Sequence, residues 1–196
     1  MKTKPILFLI LLSLAAFSSA QSIPTETRIR RSSEILGKLR QLEILNQILP
    51  VVMTKEQIRQ LLPTLEEVRA TVKKTEELEY EEIAKLEGRV DAALKEAYEI
   101  GKVPTQELFT DYLKTFARLS KARQLITEVN SGKVLAKLKE ILNEGQLKLA
   151  ENALTVPLAD PSQDPTKLDA ERKQLYFVRQ ILLDPMTYDI LIKLSK

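Results

Sequence analysis

The sequence predicts an all-α protein: an elongated bundle of long, partly kinked helices with a two-helix C-terminal tail. Three observations carry this expectation. Leu, Ile, Ala, Glu and Lys dominate the 196 residues, with only 5 glycines, which is the composition of long helices. Apolar residues recur three and four apart through most of the chain, the period of an amphipathic helix. No stretch shows the alternation of a half-buried strand. Cysteine is absent, so the fold must rest on an apolar core or on assembly rather than on disulfides.

The N-terminus reads as an export signal. Lys2 and Lys4 give a basic start, Ile6 to Phe17 is an apolar run broken only by Ser13, and Ser18-Ser19-Ala20 offers small residues to a signal peptidase. Cleavage after Ala20 is expected, which makes residues 1–20 a signal peptide. The run is too short to span a bilayer, and no other stretch is apolar enough to do so. The mature chain is therefore expected to be soluble in an exported compartment. Removing Lys2 and Lys4 takes the 30 basic residues to 28, against 27 acidic ones. The pI of 9.0 thus overstates the mature charge. A nearly neutral, exported chain with no Trp is not expected to bind nucleic acid.

Residues 21–31, ending in Arg28-Ile29-Arg30-Arg31, read as a flexible basic arm. A helix is expected from Ser32 or Ser33 to Leu49, with Ile35, Leu36, Leu39, Leu42, Leu45, Ile48 and Leu49 as its stripe. Pro50 stops it. The next helix starts at Thr54, with Ile58, Leu61, Leu62, Leu65, Val68 and Val72 on one face. Pro63 lies within it and predicts a kink, or a fresh start, since Thr64 and Glu67 form a capping pattern. Beyond Val72 the sequence is polar nearly all round until Ile83, Leu86, Val90, Ala93, Leu94 and Ala97 restore the stripe. One helix to Gly101 is expected, roughly 70 Å long, with a middle that has little to pack against. Pro104 opens another helix, lined by Leu108, Tyr112, Phe116, Leu119, Leu125, Ile126 and Val129. Asn130-Ser131-Gly132 either ends or weakens it before Val134, Leu135, Leu138, Ile141 and Leu142. A short helix from Glu144 to about Leu154 closes a helical domain over 32–155. The proline-rich segment 156–165 is a linker. Residues 166–196 form the tail: a helix over 166–183, then one after Asp184-Pro185, a cap followed by proline.

Two short patterns stand out. Thr54-Lys55-Glu56-Gln57 is a capping box, in which the Thr54 hydroxyl accepts from the amide of Gln57 and the Gln57 side chain returns to the amide of Thr54. Asn143-Glu144-Gly145-Gln146 repeats the arrangement with Asn as cap. Apolar residues precede both, as in a hydrophobic staple. Met53-Thr54-Lys55-Glu56-Gln57 resembles the L-T-x-x-Q motif of the Spy/CpxP family of exported helical stress proteins, with Met for Leu. Leu142-Asn143-Glu144-Gly145-Gln146 resembles its second copy, with Asn for Thr. The resemblance covers roughly residues 40 to 155; the last forty residues have no counterpart in it. It implies a periplasmic stress-response protein: a nucleotide-independent, chaperone-like homodimer with coiled-coil-like helices that binds partly unfolded envelope proteins. It also leaves open a sensor-adaptor that docks on an envelope stress kinase, with the 28–31 arginine cluster as the candidate docking face. A structural subunit of an envelope assembly is a further alternative. Thr54, Gln57, Asn143 and Gln146 are the candidate site residues, and their expected roles are structural.

With neither His nor Cys, Ser-His-Asp and Cys-His catalysis, H-E-x-x-H sites and His/Cys zinc sites are ruled out. Some relatives in that family bind metal, and that property does not carry over. Glu76, Glu79, Glu82, Glu96 and Glu99 have E-x-x-E spacing but lack the E-x-x-H of a di-iron bundle; they read as a solvated helical face. No phosphate-cradling glycine loop and no G-x-S-x-G occurs. The expectation is a non-enzyme without a cofactor.

Overall fold

The computed structural model describes residues 25–153 and 168–196. The expected signal peptide, the start of the basic arm and the linker 156–165 lie outside the described residues. The described residues are all-α, with no strand among them. Seven α-helices follow in order: α1 (Thr25–Ile48), α2 (Lys55–Ala84), α3 (Glu87–Ile100), α4 (Gln106–Ile141), α5 (Glu144–Asn152), α6 (Ala170–Phe177) and α7 (Thr187–Leu194). A 3₁₀ turn, Leu49–Val51, follows α1, and a π-helical turn, Val178–Leu182, follows α6. The chain divides into two units, residues 1–40 and 41–196.

In the first unit the helix begins at Thr25, so the expected irregular arm is corrected over 25–31. Helix-specific contacts explain this: Glu26 sits in the first turn, Arg30 pairs with Glu34 one turn on, and the Ser33 hydroxyl donates to the Ile29 carbonyl. Each favours the helix locally. Ile29, Ile35, Leu36 and Leu39 are exposed.

The core belongs to the second unit. Ile44, Ile48 and Val51 enter it from the end of α1 and the 3₁₀ turn, and Ile58, Leu61, Leu65 and Val68 from one face of α2. Val134, Leu135, Leu138 and Leu142 come from the end of α4, and Ala150 from α5. The C-terminal helices supply Phe177, Val178, Ile181, Leu182, Ile190 and Leu191. The α2 helix packs against α4 and α7, and α5 against α6. The two-helix segment is thus part of the core, although its sequence reads as an appendage.

Three expectations about continuity are resolved. The α2 helix runs through Pro63 without a break. Its expected continuation to Gly101 is corrected: Lys85-Leu86 interrupts it, and the Leu86 amide tightens to the carbonyl of Ile83. Gly88 lies just beyond, and glycine is a poor helix former. The α4 helix runs unbroken through Asn130-Ser131-Gly132, because both polar side chains face inward and the Ser131 hydroxyl donates to the Thr127 carbonyl. It opens at Gln106 behind the cap Thr105, two residues after the expected opening at Pro104. Gly101 ends α3 at φ 68°, a left-handed conformation that glycine adopts without steric cost.

Past Val68, α2 and α3 run antiparallel to α4 as a two-helix arm. Cross-links mark the register: Glu67 with Lys133, Glu79 with Arg123, Glu82 with Arg118, and Arg89 with Asp111 at 2.6 Å. The numbers rise on one side as they fall on the other. The α3 helix fully buries no residue; at the arm's end Ala93, Ala97 and Leu108 are half-buried beside the Arg89–Asp111 pair.

Candidate functional site

The two capping boxes meet. Thr54 holds an extended conformation (φ −71°, ψ 158°) ahead of α2. Its hydroxyl accepts from the Gln57 amide at 3.1 Å, and Gln57 Oε1 accepts from the Thr54 amide at 2.9 Å. Asn143 does the same for α5 (φ −80°, ψ 168°). Its Oδ1 accepts from the Gln146 amide at 2.9 Å, and Gln146 Oε1 accepts from the Asn143 amide at 3.1 Å. The predicted cap geometry is thus present at both sites.

The sequence reading did not show what the remaining amide hydrogens do. Gln57 Nε2 donates to Gln146 Oε1 at 2.9 Å and to the Ile141 carbonyl at 2.7 Å. Gln146 Nε2 donates to Gln57 Oε1 at 3.0 Å and to the Val52 carbonyl at 2.9 Å. The two glutamines, 89 positions apart, form a reciprocal pair. Val52 stands two residues before Thr54 as Ile141 stands two before Asn143, so the pair has local pseudo-twofold symmetry. Each oxygen accepts twice and each nitrogen donates twice, which uses the full capacity of both amides. Gln146 is buried and Gln57 half-buried, and saturation is what makes such burial tolerable. The signal that pointed to this pairing was the repetition of the box itself.

Geometry at the clasp has a cost. Val52 is the only non-glycine residue with positive φ among the described residues (φ 52°, ψ 45°). A β-branched side chain is strained there. The conformation is held by the bond from Val52 N to the Leu49 carbonyl and by the bond its own carbonyl accepts from Gln146. Gly145 is also constrained: a Cβ there would sit 3.3 Å from Asn143 Oδ1, the capping oxygen. The clasp contains only neutral amides, hydroxyl and backbone. It offers no base, nucleophile or metal ligand, so its chemistry is structural, and it fixes the start of α5 to the start of α2.

A second feature lies along the arm. Glu79 and Glu82 are not on a solvated face, which corrects that expectation. Glu79 is only 4% exposed, and Arg123 Nε donates to both of its oxygens at 2.7 and 2.9 Å. Glu82 takes bonds from Lys85 and Arg118. The bond from Lys85, followed by that from Arg118, holds the Glu82 carboxyl down at about 2. Between the helices Leu86, Leu119, Ala122 and Ile126 are only half-buried, and many apolar side chains remain outside. Leu78, Ile83, Tyr112, Leu113, Phe116 and Leu125 are each about half or more exposed, and the Tyr112 and Phe116 rings stack with centroids 6.1 Å apart.

Among the described residues, no helix is long and apolar enough to cross a membrane. Comparison with protein-family models, with curated proteins and with solved structures finds no match to the chain.

Proposed function

We propose that the chain is an exported, nucleotide-independent holding protein that binds partly unfolded envelope proteins in the periplasm through the arm formed by α2, α3 and α4. The observation that carries this reading is the arm's surface. The seam of the hairpin is thin: Leu86, Leu119, Ala122 and Ile126 are only half-buried in it, with the Glu79–Arg123 and Glu82–Arg118 pairs along its edge. Leu78, Ile83, Leu113 and Phe116 lie outside it, exposed among Lys, Arg and Glu. Exposed apolar surface of this extent marks an interaction site. Apolar contact interleaved with charge suits segments that have lost their own core, whatever their sequence. The leader-like residues 1–20 and the two L-T-x-x-Q-like boxes support the compartment and the kinship with exported stress proteins. The absence of His and Cys agrees with binding rather than catalysis.

The test is aggregation suppression. Residues 21–196 are mixed with a chemically unfolded client and light scattering is followed without nucleotide. Suppression at near-stoichiometric ratios is expected, and Leu113→Ser with Phe116→Ser should abolish most of it while leaving the melting curve in place. Failure across several clients would sink the holding function and redirect attention to one specific partner. The same surface could pair two copies of the chain, and sedimentation of the double variant beside the parent measures that contribution.

A further inference from the structure

A cleft of about 420 Å³ lies between α2, the middle of α4, the π-helical turn and the start of α7. Its volume falls within the usual range of small-molecule sites. The apolar lining comes from Leu65, Val68, Val72 and Leu182, with Leu183 and Pro185 closing one end. Polar groups converge on it from three elements. Asn130 lines the cleft and is only 5% exposed, yet its side chain has no hydrogen-bond partner among the described residues. Its amide atoms are not among the solvent-sealed atoms without a partner, which among the described residues are Gln47 Oε1 and Gln174 Oε1, so the amide stays reachable from the cleft and free to meet a ligand. Lys73 reaches the cleft from α2 and Arg179 from the π-helical turn. Neither pairs with a carboxylate among the described residues. Arg179 spends only its Nε, on the Ser131 hydroxyl at 3.2 Å.

Part of the remaining polar lining is engaged. Arg69 lies over the Tyr188 ring at 4.2 Å from its centroid, and the neighbouring Glu66 carboxylate pushes the Tyr188 hydroxyl up. Asp184 accepts from the Met186 amide at 2.9 Å, and Glu76 stands in the field of Arg123. The groups left to meet a ligand are thus the Asn130 amide, the Thr127 hydroxyl and two cations beside an apolar lining, with the Glu76 carboxylate at the same cleft. A π-helical turn of the kind that carries Arg179 often marks a functional site.

We propose that this cleft binds a small amphipathic carboxylate, with an apolar chain against Leu65, Val68, Val72 and Leu182 and its carboxylate between Asn130, Lys73 and Arg179. The site lies at the root of the arm, apart from the exposed Leu78, Ile83, Leu113 and Phe116 argued above, and stands or falls independently of them. Octanoate and its uncharged counterpart octanol are the probes, titrated calorimetrically into the full chain, with the side-chain amide of Asn130 followed by NMR. Octanoate should saturate one site, shift the Asn130 amide and bind at least roughly tenfold more tightly than octanol, the scale of one charged hydrogen bond. Lys73→Gln with Arg179→Gln, both at exposed positions, should erase that preference and leave octanol binding unchanged. Val72→Trp, at a position 41% exposed, should fill the cleft and abolish both, with the melting curve unmoved. Equal affinity for acid and alcohol, no saturable binding, or shifts confined to the arm with Asn130 unmoved would each overturn the proposal.

Discussion

Gln57 and Gln146 each do two jobs, and the jobs are coupled. Removing either side chain loses a cap return and strands the partner's amide together with one backbone carbonyl. Gln146→Ala should therefore cost about 2 to 3 kcal/mol in chemical denaturation, and Gln57→Ala somewhat less because it is more exposed. The double variant should cost clearly less than the sum of the singles, since the shared bonds are lost only once; strict additivity would show that the pair contributes nothing beyond two independent caps. At Val52 the side chain is 69% exposed while the backbone is strained. Val52→Asn keeps the carbonyl that Gln146 needs and tolerates the left-handed region. It should raise stability by about 1 kcal/mol, and a loss would show that the Val52 side chain matters more than its backbone. Both boxes were legible residue by residue, because a capping box is a local pattern. Their pairing was not, because nothing in either segment states which distant carbonyl its amide will meet. Whether Asn130-Ser131-Gly132 ends or only weakens α4 was likewise left open by the sequence, and inward burial of Asn130 and Ser131 goes with an unbroken helix.

At the level of elements, the helices themselves were legible from periodicity, and their ends less so. The stripe Ile58, Leu61, Leu65, Val68 is buried as its spacing predicts. The α1 stripe is not: Ile44 and Ile48 are buried whereas Ile35, Leu36, Leu39 and Leu42 are exposed. Periodicity identifies an apolar face but not whether a partner covers it. The polar middle of the α2–α3 segment has a partner after all, in the cations of α4, and this is visible in neither sequence alone. Those pairs give the arm a pH dependence with a definite sign. The Glu82 carboxyl sits at about 2 against an ordinary value of 4.5. A depressed folded value means that ionised Glu82 favours the folded state. That contribution is present above about 4.5 and is lost as pH falls towards about 2. Plotted against pH, the difference in Tm between the parent and Glu82→Gln should be flat above 4.5 and shrink below it. A difference independent of pH across that window would show that Glu82 is not held ionised by Lys85 and Arg118.

For the whole molecule, the core joins segments far apart in the chain, and the C-terminal helices are integral to it. A chain ending at Ala153 would lack Phe177, Val178, Ile181, Leu182, Ile190 and Leu191. Each such side chain contributes about 1.5–3 kcal/mol when buried, so their joint loss of roughly 9–18 kcal/mol is comparable to the whole net stability of a typical domain, about 5–15 kcal/mol. The truncated chain should show no cooperative unfolding by circular dichroism; a sharp transition would mean that 41–153 folds alone. The sequence suggested an appendage here because a proline-rich stretch precedes it and the motif resemblance stops before it. Neither fact bears on whether Phe177 finds a cavity to fill. The clasp has a consequence for how the molecule tolerates its surroundings. In a chain without cysteine, two glutamines close an 89-residue excursion much as a cross-link would. Because the closure is made of uncharged amides, neither a reductant nor the acid that titrates Glu82 can unfasten it. The arm can therefore loosen and re-form its ion pairs as conditions change while its two roots stay tied together.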